Sequence, residues 1–481
     1  MIETSDREAI ATLRAVLDGA GYDSDGIKRA LGSEGPFARD DNLPLYLRAL
    51  PREGRLPTLV RLFFLGVPVA AEAAEAALAP LPLDRVEALG LVEPSGGGVG
   101  ATVDLTPTDE FLLAYDHGEH GVERREHVLG ISPATKLLAY LTIRRPVETA
   151  LDLGSGSGVQ AILAAKHARS VVAADVNPRA LEFTAFNALL NGFENVECRL
   201  GDLFEPVDGE QFDLLVCNPP YVVSPETALV YRDSGLPGDA FCEQLVRRVP
   251  EFLAEGGLAH VLVSWVHGPD EDWSARPRSW LDGSGCDALL LRFRTHEPLA
   301  YAAGSNSRLR KRDPEAFGAT VDRWTEYYDE LGIEAISWGA IVLRRRRGES
   351  WLWTHSPSAE RLGPASGHVQ RLIDAQDRLQ ALADDRVLLD DALELVPSHR
   401  LDQTVVLRGG DEEVEASLLR LLDGLRFQVQ VDGPTTRVLS LLDGKRTLRD
   451  VLEEASALEP GLGANAALAG IRQLVELGFL V

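Results

Sequence analysis

The chain has 481 residues, 45% of them hydrophobic and 25% charged, the make-up of a soluble globular protein too long for a single core. It holds no run of about 18 apolar residues that would support a transmembrane helix, and the acidic start Met1-Ile2-Glu3-Thr4-Ser5-Asp6 is unlike a secretory signal, so the cytoplasm is the expected compartment. The net charge of −26 is spread along the whole length, which disfavours a nucleic-acid partner and leaves room only for a local basic groove.

Residues 1 to about 120 read as a helical module ending in a small hairpin. Leu56 to Gly66 is an apolar helix with a glycine stop, Ala70 to Leu78 a second, and Leu83 to Leu89 a third. Ser95 to Gly100 is a glycine-rich turn between the strand-like pieces Leu91-Val92 and Ala101 to Leu105. The order is similar to a winged helix. Its third helix carries Asp84, Arg85 and Glu87, and one positive charge among three favours a protein-facing or scaffolding role over DNA binding. Asp116-His117-Gly118-Glu119-His120 reads as a solvated linker, because no third cluster completes a metal site. No metal is expected. Cys198, Cys217, Cys242 and Cys286 lack metal-type spacing and read as reduced thiols.

From Val147 strands alternate with helices, the sign of a parallel α/β sheet. Val147 to Leu153 is a strand, followed by Gly154-Ser155-Gly156-Ser157-Gly158 and a helix to His167. Ser170 to Asp175 is the second strand, Val196 to Leu200 the third and Phe212 to Cys217 the fourth. A helix from about Asp239 to Glu255 leads into a fifth, Leu258 to Trp265, and two later strands (Ala288 to Phe293, Trp338 to Leu343) flank an insertion of roughly forty residues. The basic clusters are Arg308 to Arg312 in that insertion and Arg344 to Arg347 after the last strand. They read either as a phosphate-binding patch or as solvated chain. The C-terminal part reads as three helices, Thr435 to Leu442, Thr447 to Ala457 and Ala464 to Leu477, a second winged-helix-like module.

Four strand ends carry the chemistry. Glycines after Asp152 let a ligand approach the backbone and the free N–H groups of a helix start. Asp175 closes the second strand, where a carboxylate can take both hydroxyls of a ribose, and Asp202 follows the third, placed to hold an adenine amine. The fourth strand ends in Asn218-Pro219-Pro220-Tyr221. Two prolines stiffen this turn and remove two donors, leaving a side-chain amide, outward carbonyls and an aromatic face. That set accepts hydrogen bonds from an –NH2 group and stacks on a planar one. A dinucleotide-binding domain would share the first two features and lack the last.

On these residues the stretch from about Val128 to Leu343 resembles a class I S-adenosylmethionine-dependent methyltransferase. It is most similar to the HemK/PrmC family of release-factor glutamine methyltransferases, through Gly201-Asp202-Leu203-Phe204-Glu205-Pro206, Phe212-Asp213-Leu214 and Asn218-Pro219-Pro220-Tyr221-Val222. The resemblance implies an α/β fold: a Rossmann-like seven-stranded core over residues 121–348, an insertion at about 297–335, and mostly helical winged-helix-like domains over 1–120 and 349–481. It implies S-adenosylmethionine held by Thr135, Asp152, Gly154, Ser155, Gly156, Gly158, Asp175, Val176, Asn177, Asp202, Leu203 and Asn218, with Gly130 to Thr135 over its methionine end. Asn218, Pro219, Pro220 and Tyr221 become the catalytic set. Both terminal modules depart from the family, which carries a helical substrate-recruiting domain instead.

The expected reaction is N-methylation of a planar nitrogen. Asn218 Oδ1 and the Pro219 carbonyl would each accept one N–H, turning the nitrogen lone pair toward the methyl, with Tyr221 stacked on the planar group. No dedicated general base is required. A glutamine in a release factor or other translation protein is the leading acceptor; an adenine or guanine amine in rRNA or DNA is the alternative, and a non-catalytic adaptor a third.

Overall fold

The computed structural model describes residues 1–32, 39–117, 125–357, 362–381, 385–409, 411–460 and 462–481. The N-terminal part holds α1 (Arg7–Ala20), α2 (Ser24–Leu31), α3 (Arg39–Ala49), α4 (Arg55–Leu59, running on as a π-helical turn to Phe64), α5 (Ala71–Leu78) and α6 (Leu83–Ala88). Asp6 caps α1 by accepting the Ala9 N–H at 3.0 Å. Strands β1 (Val92–Ser95) and β2 (Gly98–Ala101) pair antiparallel, and Val69 bridges to Val99. The turn between them is only Gly96-Gly97, both at positive φ, so the strands run deeper into the glycine stretch than expected. A second hairpin, β3 (Val103–Pro107) with β4 (Leu112–Asp116), follows. Here His117 Nδ1 lies 2.6 Å from the buried Asp104 carboxylate; residues 118–120 of the expected linker lie outside the described residues.

The central part runs α7 (Pro133–Leu141), β5 (Val147–Leu153), α8 (Val159–Ala165), β6 (Ala168–Asp175), α9 (Pro178–Leu190), β7 (Val196–Leu200), β8 (Phe212–Cys217), α10 (Ala240–Arg248), β9 (Leu253–His267), α11 (Ala275–Trp280), β10 (Cys286–His296), α12 (Pro298–Ser305), α13 (Ser307–Arg312), α14 (Pro314–Glu330) and β11 (Ala335–Arg345). The sheet order is β12-β10-β11-β9-β8-β5-β6-β7, with β12 spanning Leu352–His355. All strands are parallel except β11, which is antiparallel to both neighbours. Seven of them make the expected Rossmann-like α/β core. The eighth corrects the strand count: Leu352 to His355, beyond residue 348, pairs in parallel with Ala288 to Leu291. The helix expected over 239–255 stops at Arg248, because Pro250 has no N–H to continue it, and Leu253 already pairs with Phe212.

The C-terminal part contains α15 (Ser366–Ala381), β13 (His399–Arg408), β14 (Asp411–Leu421), β15 (Gln428–Gln430), α16 (Gly433–Leu439), α17 (Leu448–Leu458) and α18 (Ala464–Glu476). The three expected helices are present. The antiparallel sheet β13-β14-β15 was not anticipated.

Both terminal parts are packed into the core. One apolar cluster joins Leu138 of α7, Leu262 of β9 and Leu289 of β10 to Leu372, Ile471 and Phe479. Another joins Ile10, Leu13 and Leu17 of α1, spaced along one helix face, to Phe183 and Phe186 of α9. Polar ties reinforce both. The Asn187 side chain accepts the Ala114 N–H and donates to the Ala114 carbonyl, each at 2.8 Å, and Asn191 does the same for Leu112. Two side-chain amides, one helical turn apart, thus satisfy the backbone of β4.

The run Arg344 to Arg347 is committed internally. Arg344 and Arg346 pair with the buried Asp287 and with Asp377 of α15, Arg345 donates to the Pro250 carbonyl, and Arg347 pairs with Glu255. It ties the C-terminal part to the sheet. In α13, Arg310 lies over the Phe317 ring at 5.1 Å.

Candidate active site

Four adjacent parallel strands, β8, β5, β6 and β7, end together, and the chain reverses direction in the sheet between β5 and β8. A crevice outside the carboxyl ends of strands at such a reversal is where open α/β sheets bind ligands. Leu153 is the sheet partner of both Cys217 and Ala174. Asn218 and Gly154 therefore begin side by side, with Asp175 one strand further on.

The glycine turn is built around Asp175. Gly154 and Ser155 both donate N–H groups to the Ala174 carbonyl, and the Gly156 N–H donates to Asp175 Oδ2 at 2.9 Å. Gly154, Gly156 and Gly158 all sit at positive φ. A Cβ on Gly154 or Gly156 would meet nothing within 4 Å, whereas one on Gly158 would reach Thr184 Cα at 3.0 Å. The first two thus face open space, and the third is packed against α9. The Thr184 hydroxyl supports the turn, 3.1 Å from both Ser155 Oγ and the Gly156 carbonyl.

Asp175 also accepts the Asn177 N–H on Oδ1 at 2.8 Å. Burial pushes its carboxyl up, opposed by the backbone donors of Gly156, Asn177 and Val176. Asp152, 3% exposed, accepts the Ala161 N–H at 2.8 Å. Burial, with the charge of Asp175 as a smaller contribution, pushes it up to about 7. Val176 presents an apolar side chain that is 51% exposed beside these carboxylates in sequence. Asn177 is different: its Oδ1 caps α9 at Arg179 N and its Nδ2 donates to the Glu126 carbonyl. Its side chain orients the turn rather than offering free hydrogen-bonding groups.

The Gly201 N–H donates to the Asp175 carbonyl at 3.1 Å, bringing the end of β7 alongside. Asp202 is exposed, its own N–H donated to Glu205 Oε2 at 3.3 Å. Leu203 has φ +47, a left-handed conformation uncommon for a branched side chain and a form of strain found at functional turns. Thr135 stands further off, in the capping box that starts α7, and its carbonyl accepts Gln160 Nε2 of α8 at 2.9 Å.

At the end of β8, Asn218 Oδ1 is buried and has no hydrogen-bond partner among the described residues. A buried acceptor left without a donor is costly and calls for a ligand. Pro219 and Pro220 follow, and the Tyr221 N–H donates back to the Pro219 carbonyl at 2.8 Å, closing a tight turn. That carbonyl is therefore already engaged once, with a second lone pair to offer. Tyr221 is half-buried, and burial, with Tyr301 and Cys242 nearby, pushes its phenol well up, so it stays neutral. All four cysteines are free thiols, and Cys217, at the foot of the motif, is held neutral by burial.

A family profile described as a methyltransferase small domain matches residues 129–263, and a domain of unknown function (DUF7059) matches residues 19–102. The ribosomal protein uL3 glutamine methyltransferase of Bordetella pertussis is 30% identical over 319 residues, 60% of this chain and 97% of that protein. The chain belongs to the class I methyltransferases of the HemK/PrmC type. Two further members of this group are covered over about half their length. The ribosomal protein uL3 glutamine methyltransferase of Bradyrhizobium diazoefficiens is 37% identical over 28% of this chain and 47% of its own. The release factor glutamine methyltransferase of Xylella fastidiosa is 35% identical over 24% and 47% respectively. No helix among the described residues is long and apolar enough to cross a membrane.

Sequence reasoning missed the groups that hold this HemK/PrmC-type site from behind. Thr184 and Asn187 support the glycine turn, the latter donating to the Ser157 carbonyl at 2.9 Å, and Gln160 ties α8 to the Thr135 carbonyl. Tyr301, Trp324, Tyr327 and Tyr328 of the insertion reach the segment after Tyr221. The signal for the last three was an aromatic stripe at helical spacing within 314–330.

Proposed function

We propose that the chain transfers a methyl group from S-adenosylmethionine to the side-chain amide nitrogen of a glutamine in a protein. The observation that carries this reading is Asn218 Oδ1, a buried acceptor with no donor among the described residues, at the strand end beside Gly154. An acidic chain of this family whose relatives are named for ribosomal protein uL3 and release factors fits a protein of the translation apparatus as the acceptor. The nucleic-acid alternative loses its support, because Arg344 to Arg347 are engaged with carboxylates and a carbonyl of the chain itself.

The residues present fit the cofactor. The open faces of Gly154 and Gly156, where a Cβ would meet nothing, form a cradle. Asp175 would hold a ribose through lone pairs not used by Gly156 and Asn177, Val176 would pack on adenine, and Asp202 with Leu203 would flank its amine. Asp152 would neutralise positive charge, with Ser155, Gly158, Asn177 and Thr135 shaping the turn and the methionine end. When bound, S-adenosylmethionine supplies a methyl group already activated on a sulfonium.

The chain's own part is to orient the nitrogen. An amide lone pair is conjugated and poorly nucleophilic. Asn218 Oδ1 accepts one N–H and the second lone pair of the Pro219 carbonyl accepts the other, drawing the nitrogen toward tetrahedral geometry. These bonds strengthen as positive charge develops on nitrogen, so they favour the transition state over the ground state. Pro219 and Pro220 keep the acceptor rigid, and Tyr221 stacks on the planar group. The N-terminal helices, with Val69 bridged to the β1–β2 hairpin, and the C-terminal helices are winged-helix-like modules that recruit the protein substrate in the cytoplasm.

Incubating the chain with isotopically labelled S-adenosylmethionine and cell extract, then sequencing labelled peptides by mass spectrometry, tests this. Label on a glutamine of a ribosomal protein or release factor is expected. Label confined to RNA or DNA refutes it.

A further inference from the structure

The segment after the acceptor motif, residues 222–238, has no helix or strand of its own, a length at which irregular loops are usually functional. It is held in place by the insertion. The Val223 N–H donates to Tyr301 Oη of α12 at 3.2 Å, and the Val223 carbonyl accepts from Tyr328 Oη of α14 at 2.8 Å. One residue, two beyond Tyr221, is thus held at both its backbone N–H and its carbonyl by phenols from one insertion. Further along, the Gly238 N–H donates to Tyr327 Oη at 2.8 Å, and Glu226 accepts from Trp324 Nε1 at 3.1 Å and from Arg323.

These contacts form a small core separate from that of the sheet. Val223, Tyr301, Val321, Trp324, Tyr328 and Ile336 are buried together, and the Tyr301 and Tyr328 rings meet edge to face at 6.4 Å. Tyr301 and Tyr328 are fully or nearly fully covered, so neither hydroxyl is there for solubility. The insertion leaves β10 and returns to β11 at the same end of the sheet as Asn218.

We propose that Tyr301 and Tyr328 are positioning residues for methyl transfer: by holding the N–H and the carbonyl of Val223 they fix the turn that aims Asn218 Oδ1 and the Pro219 carbonyl at the acceptor nitrogen. The inference rests on the proposed function for its catalytic consequence. The Tyr221 N–H to Pro219 carbonyl bond needs Tyr221 at one place along the chain; directly after it Val222 bridges to Asp233, and Val223 is held by the two phenols of the insertion. Without the clamp the turn stays chemically complete and loses its aim. Misplacement on the scale of 1 Å is enough to cost orders of magnitude in rate.

The test uses Tyr301→Phe, Tyr328→Phe and the double variant in the full chain, since phenylalanine keeps the ring and removes only the hydroxyl. Two readouts are taken: hydrogen exchange of the Tyr221 and Val223 amides, and methyl transfer from labelled S-adenosylmethionine to purified ribosomal protein uL3 and release factor. Exchange at Tyr221 and Val223 should quicken while that of β5 and α8 stays as in the unaltered chain. Then kcat should fall about 10-fold per substitution, with the Kd for S-adenosylmethionine unchanged and the thermal midpoint lowered by only a few degrees, as the loss of one buried hydrogen bond requires. Unaltered exchange at Tyr221, wild-type kcat in the double variant, or a loss matched by lost cofactor affinity each overturns the clamp. If the unaltered chain labels neither protein nor any other, the proposed function fails, and exchange alone decides the clamp.

Discussion

Replacing Asp152 by asparagine should stabilise the cofactor-free protein, increasingly so as pH rises. Asp152 is 3% exposed and accepts one backbone N–H, from Ala161, which asparagine can still receive on its own oxygen. Burial holds the carboxyl at about 7 against an ordinary value of 3.8. A folded-state pKa above the unfolded one means that the folded chain binds the extra proton. The carboxyl therefore costs nothing below about pH 4, costs progressively more from pH 4 to 7, and levels off above. Three pKa units correspond to about 4 kcal/mol at pH 8, and the same linkage leaves about 2 kcal/mol at pH 5. Thermal or urea unfolding of both proteins without cofactor, at pH 5 and pH 8, reads the difference directly. Asp152→Asn should gain more at pH 8 than at pH 5. An equal gain at both, or a loss that grows with pH, would refute the idea that Asp152 is a desolvated acid kept for its charge.

Two glycines of one turn should fail differently. Gly154→Ala places a methyl in open space, so its cost beyond about 1 kcal/mol of left-handed strain should fall on S-adenosylmethionine affinity, measured by calorimetry as a rise in Kd of at least about 10-fold. Gly158→Ala drives its methyl onto Thr184, so its main effect should be a lower unfolding midpoint. Asn187→Ala strips partners from Ala114 and from the Ser157 carbonyl and should cost about 3 kcal/mol in denaturant unfolding. Native-level stability there would show that β4 is satisfied some other way.

What was legible in the sequence lies at strand ends. A strand buried on both faces is an unbroken apolar run, so the polar residue that ends it stands out, and Asp152, Asp175 and Asn218 could be placed without coordinates. The edge of the same sheet was harder. Leu352 to His355 is a four-residue strand that pairs with β10 at the edge of the sheet, too short to show a period. The β13–β14 ribbon was hidden because its outer part stands out from the core, leaving Leu401, Val405, Leu407 and Val414 exposed among charges, and among the described residues only Ser417, Leu419 and Leu421 at its base form a buried alternating face. Arg344 to Arg347 read equally as a phosphate patch because their partners, Asp287 and Asp377, lie far along the chain. The clamp on Val223 was invisible for the same reason, since Tyr301 and Tyr328 meet it only through the insertion's fold.

If Asn218 orients the acceptor nitrogen, its loss should separate methyl transfer from cofactor binding. The unaltered chain and Asn218→Ala are each given labelled S-adenosylmethionine and a protein acceptor, with cofactor affinity measured by calorimetry on the same samples. Asn218→Ala should keep a Kd within about twofold of the unaltered chain while transfer falls by about 100-fold or more. Transfer at the unaltered rate by a variant that binds cofactor normally would contradict it.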